Sequence, residues 1–121
     1  MSVISGDNPE LAVLWEHTLR VVKLLTDKRY DDIVSVTRGV RLSSDQLRNT
    51  VLEHGMELEP PPSARAARFE PIRIVDSEPP EWSVSCDLWS RGSPSDLTLE
   101  LTIRRTSQDS FVIEIDGLHV L

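Results

Sequence analysis

Residues 97–103 read Leu-Thr-Leu-Glu-Leu-Thr-Ile, and residues 111–116 read Phe-Val-Ile-Glu-Ile-Asp. An apolar side chain returns at every second position, as in a β-strand with one buried face, because successive side chains on an extended backbone point to opposite sides. Further back, Trp82, Val84, Cys86 and Leu88 alternate with Ser83, Ser85, Asp87 and Trp89, and Ile72 and Ile74 mark a shorter strand before them. Glu78-Pro79-Pro80, Gly92-Ser93-Pro94 and Thr106 to Ser110 read as turns, and connections this short make antiparallel neighbours. Residues 69–121 are therefore expected to form an antiparallel meander of about four strands, with Leu118 and Val120 tying the end of the chain into the sheet.

Before residue 57 the apolar period is three to four. Leu11, Leu14, Trp15, Thr18, Val22 and Leu25 build one stripe of a helix. Asp7 and Glu10 form a capping box for it, Asn8 offers an alternative cap, Pro9 presets the first turn, and the end falls near Asp27. Tyr30, Ile33 and Val34 continue or restart a helix, and Arg38, Gly39 and Val40 break the pattern. Ser43 with Gln46 forms a second capping box, flanked by Leu42 and Leu47 as a hydrophobic staple. Leu47, Val51 and Leu52 give that helix a buried side, and Gly55 is placed to close it in a left-handed cap. Pro60, Pro61 and Pro62 then stop helical structure and make residues 57–68 an extended connection. The expected architecture is a single α+β domain: a helical part over 1–56 packed on a curved antiparallel sheet of about four strands.

A chain of 121 residues can bury a sizeable core unaided. A lone cysteine, Cys86, allows no internal disulfide, and no long apolar run or secretory signal is visible, so a cytoplasmic protein with no membrane partner is expected. The net charge of −7 lies mostly in the second half: residues 69–121 carry −6 and residues 1–68 carry −1. Such a field repels phosphate backbones, which excludes nucleic acid as the expected partner, and favours a basic protein. An acidic surface also serves plain solubility.

Little in the sequence carries chemistry. With the leucine face inward, Asp87, Glu100, Glu114 and Asp116 point outward, and an acid reaches the core only if a bulge slips the parity. His17, Tyr30 and Asp31 in the helical part are the candidates for a polar group in a pocket between sheet and helices. His17, His54 and His119 lack metal-ligand spacing, Cys86 has no cysteine partner, and no nucleophile elbow or phosphate loop occurs. No metal, no cofactor and no catalytic residue is expected. On the outer face Trp89 falls beside Asp87, with Glu100, Glu114 and Asp116 on adjacent strands, an aromatic amid acids of the kind found at protein interfaces.

The long helix, the stretch Asp27-Lys28-Arg29-Tyr30-Asp31-Asp32-Ile33, the capped helix from Ser43 to Gly55 and the alternating meander together resemble the cystatin-like α+β roll of the nuclear transport factor two superfamily. The final stretch, Asp96 to Leu101 through Ile113 to Asp116 to His119-Val120-Leu121, is also similar to an uncharacterised family of short bacterial proteins. The roll resemblance implies either a small-molecule pocket between sheet and helix or protein binding, immunity proteins included, and it implies sheets that pair through their outer faces. The expected function is a non-catalytic protein-binding domain, immunity-type or regulatory, using an acidic sheet surface. A homodimer through Trp89 is the competing use of that face, and a small-molecule enzyme or carrier using His17, Tyr30 and Asp31 is the alternative.

Overall fold

In a computed structural model, which describes residues 9–37, 43–55, 57–108 and 110–120, three helices precede a four-stranded sheet. The helices are α1 (Pro9–Thr26), α2 (Tyr30–Val36) and α3 (Ser44–His54). The strands are β1 (Glu70–Arg73), β2 (Glu81–Ser90), β3 (Ser93–Ser107) and β4 (Ser110–Val120), paired antiparallel in the order β1-β2-β3-β4. The α+β class and the meander are as the sequence pattern requires. The capping elements Asp7 and Asn8, the breakers Arg38, Gly39 and Val40, the staple residue Leu42 and the terminal Leu121 lie outside the described residues.

On α1, Leu14, Thr18, Val22 and Leu25 are buried as expected, and Val21 joins them. A helix face wide enough to cover a sheet takes in the neighbouring position at the next 100°. Leu11, at the start, is exposed instead, and Trp15 is half-buried. Thr18 is tolerated in the core because its hydroxyl donates to the Leu14 carbonyl at 2.9 Å. The second capping box is present in both directions: Ser43 Oγ accepts from the Gln46 amide at 3.2 Å, and Gln46 Oε1 accepts from the Ser43 amide at 2.8 Å. Gly55 closes α3 at φ 76°, its amide donating to the Val51 carbonyl. Leu47 and Val51 are buried, but Leu52 is exposed, since it lies a further 100° around the helix from Val51.

The inner face of the sheet presents Trp82, Val84, Cys86, Leu88, Leu97, Leu99, Leu101, Ile103, Ile113, Ile115 and Leu118 to the helices, and all belong to one buried cluster with Leu14, Val21, Val22, Leu25, Ile33, Leu47 and Val51. Each fully buried aliphatic side chain contributes roughly 1.5–3 kcal/mol. Phe111, expected inside, is half-buried at the rim of this cluster. A register shift between Glu100 and Leu101 leaves Asp116 as the extra residue of β4, so Ile115 faces Leu101 and Leu118 faces Leu99. The bulge thus changes the inward parity from odd to even and brings Leu118 inside without bringing an acid with it.

One turn and one strand differ from expectation. The β2–β3 hairpin turns at Arg91-Gly92, with Ser90 opposite Ser93 and φ of 53° and 78°, so Ser93 and Pro94 already belong to β3. A two-residue hairpin loop of this kind needs left-handed φ at both central positions, which matches the right-handed twist of the flanking strands. The β1 region is the second: Ile72 is 59% exposed and Ile74 37% exposed, so this strand adds little to the core. The proline-rich connection buries Leu58, Pro61 and Ala67 and runs along the edge of β2 that β1 leaves free. Glu59 donates its amide to the Trp89 carbonyl at 2.8 Å, and the Asp87 amide donates to the Ala67 carbonyl at 2.7 Å.

Candidate functional site

With the helices on one face, pairing register fixes what stands on the other. One row across the strands reads Ile72, Ser83, Thr102, Glu114; the next reads Glu70, Ser85, Glu100, Gly117. Asp87, Thr98 and His119 form a third row, and Glu81, Arg104 and Val112 a fourth. Side chains opposite one another on antiparallel strands sit about 4.5–5.5 Å apart at Cβ, close enough to set each other's electrostatics.

Asp87, Glu100, Glu114 and Asp116, four of the five residues expected at a binding surface, therefore share this face. Several of them are held by neighbours. His119 Nε2 lies 2.9 Å from Glu100 Oε1, and Thr102 donates its hydroxyl to Asp116 Oδ2 at 2.6 Å. Arg68 Nε approaches Asp87 Oδ2 at 3.7 Å, and Arg104 pairs with Glu81. The imidazole of His119 reaches Glu100 by lying over Gly117, where a Cβ would overlap the ring. A glycine inside a strand signals such a close approach.

The fifth residue, Trp89, stands apart. A register shift separates it from Asp87, its Nε1 donates to the Ala66 carbonyl at 3.3 Å, and the connection covers it to half-burial. The sequence pattern carries no signal for the segment that covers it, which pairs with it from thirty residues upstream. Exposed apolar side chains lie elsewhere: Ile72 stands opposite Ser83 on the outer face, and Ile74 and Val75, the last 83% exposed, follow directly after β1. Ile72 was legible as part of a strand, which ends at Arg73 and so leaves out Ile74, but edge position alone decides that it stays in water.

Of the three residues of the pocket alternative, Tyr30 lines a concavity, and His17 and Asp31 are not among that concavity's lining residues. His17 packs its ring on Phe111 at 4.9 Å between centroids, Tyr30 is buried with the Arg48 guanidinium 5.7 Å from its ring, and Asp31 is exposed on α2. Burial holds the His17 pKa below its ordinary value, with Arg20 adding to the shift and Glu16 opposing it. Cys86 is buried, and burial, reinforced by Asp87, pushes its thiol up to about 12. Among the described residues no group of three or more His, Cys, Asp or Glu could hold a metal ion, and no helix is long and apolar enough to cross a membrane.

Two of the concavities among the described residues lie away from the sheet's outer face. One, of about 390 Å³, is walled by Leu11, Ala12, Trp15, Ala64, Arg65, Phe69 and Pro71. The other, of about 220 Å³, lies among Lys28, Tyr30, Val51, Leu52, Gly55, Glu57 and Arg91. Compared with known proteins, residues 22–121 match the model of a family described as a domain of unknown function, DUF7668. No curated protein and no solved structure matches the chain.

Proposed function

We propose that this chain, which belongs to the DUF7668 family, is a non-catalytic protein-binding domain whose docking surface is the outer face of the sheet. The observation that carries the reading is the pairing, on one side of the molecule, of a carboxylate field with an apolar strip. Among the described residues, Glu70, Glu81, Asp87, Glu100, Glu114 and Asp116 share that side with Arg68, Arg104 and His119, and Ile72, with Ile74 and Val75 just beyond β1, stands exposed at the edge. The partner that fits is a protein segment with apolar anchors flanked by Lys and Arg. Anchors give the affinity, and opposite charge raises the encounter rate and selects against acidic competitors.

An immunity-type or regulatory role in a bacterial cytoplasm suits such a surface, and helices followed by a meander support the cystatin-like roll as its ancestry. A second copy is a poorer occupant, because two-fold symmetry would set this carboxylate field against itself and Trp89, the natural anchor, is occupied by the connection.

The test is affinity capture from host lysate with the wild type, an Ile72→Asp/Val75→Asp variant and a Glu100→Lys/Glu114→Lys variant. All changed residues lie on the outer face or the β1 edge strip, away from the buried cluster. The reading expects a basic partner that both variants lose and that moderate salt weakens. A partner retained by both variants places the interface elsewhere and overturns it.

A further inference from the structure

The larger concavity lies between the first turns of α1 and the turn after the prolines, and neither the outer face nor the buried cluster accounts for it. Its volume of about 390 Å³ falls within the usual range for small-ligand pockets and well above the roughly 150 Å³ void that accepts benzene. Trp15 and Phe69 form two of its walls, with ring centroids 5.1 Å apart and planes inclined at 58°, so they present a cleft rather than a flat stack. The remaining walls are aliphatic apart from Arg65.

Arg65 decides the ligand's chemistry. It is exposed, and among the described residues no carboxylate lies within ion-pairing distance of it. Of the two arginines on the segment from Pro60 to Phe69, Arg68 faces Asp87, and Arg65 is the one that lines the groove. A neutral ligand would leave the guanidinium unused. We propose that the groove binds a small aromatic carboxylate, its ring seated against Trp15 and Phe69 and its carboxylate paired with the Arg65 guanidinium. The planar guanidinium fork matches a carboxylate in two parallel hydrogen bonds, and a one- or two-ring system fits the volume.

Titration of the full chain with 2-naphthoate and with its neutral counterpart 2-naphthalenemethanol, followed by calorimetry and amide NMR, tests this. Saturable naphthoate binding is expected, with shifts gathered at Ala12, Trp15, Arg65 and Phe69. The carboxylate should bind about tenfold more tightly than the alcohol. Arg65→Gln should erase that preference while leaving the melting temperature in place, and Ala12→Trp, which fills the groove from the exposed side of α1, should abolish binding of both probes. Absence of saturable naphthoate binding at millimolar concentration, shifts centred on another surface, or a carboxylate preference that survives Arg65→Gln would each overturn the proposal.

Discussion

At the scale of single residues, His17 and Gly117 show two ways in which a side chain's surroundings set its behaviour. His17 packs against Phe111 and is held neutral by burial, with its folded pKa below the ordinary 6.5. In the window between that lowered value and 6.5, the unfolded chain binds the proton more readily than the folded one. Stability therefore falls as pH drops through this window and is unaffected above it. His17→Gln should lower the melting temperature at neutral pH, through the lost ring contact, yet lose less on moving from about pH 7.5 to about pH 5.5 than the wild type does. An equal loss in both proteins would contradict the buried, neutral imidazole. Gly117 is needed for space and not for backbone freedom, since the His119 ring occupies the position of its missing Cβ. That ring ends a flexible and half-exposed side chain, so Gly117→Ala should change stability by no more than about 0.5 kcal/mol. It should, however, swing His119 off Glu100, visible as shifts of the His119 ring and Glu100 amide resonances. A large loss of stability, or unmoved resonances, would refute this.

At the scale of elements, what could be read from the sequence was whatever is local in the chain. The α3 caps were legible because a capping box needs only residues three apart, and the β3 alternation because a strand's parity is written in its own side chains. The position of the β2–β3 turn was not, because Gly92-Ser93-Pro94 contains two strong turn formers while the left-handed pair is Arg91-Gly92. Arginine tolerates φ 53° poorly, and asparagine tolerates it well. Arg91→Asn should therefore stabilise the chain by about 0.5 kcal/mol in denaturant titration; a destabilised variant would mean that the arginine stem contributes packing that outweighs its backbone strain. The bulge at Asp116 was hidden for a similar reason: one inserted residue leaves no periodic trace, although a glycine following it in a strand was a hint. Least legible of all was the covering of Trp89, since the bridge from Glu59 joins segments thirty residues apart and depends on where the proline-rich connection runs.

At the scale of the whole molecule, the sheet divides two kinds of surface. The inner face, from Val84 through Leu99 and Leu101 to Ile115, is closed by the helices and carries no acid, so the fold spends its apolar alternation on stability. The outer face keeps the charge, and the charge distribution of the sequence already pointed there: the strands hold most of the net −7. Trp89, the anchor expected from the sequence, is half-covered by the connection, and the proposed docking surface takes the exposed Ile72, Ile74 and Val75 in its place. The claim that this face is the docking surface is tested most directly by amide NMR of the labelled chain, titrated with the basic partner recovered by capture. The account predicts perturbations clustered at Ile72, Ile74, Val75, Ser83, Glu100 and Glu114, shrinking as salt is raised. Perturbations confined to the helices or to the Trp15–Phe69 groove, with the sheet's outer rows unmoved, would contradict it.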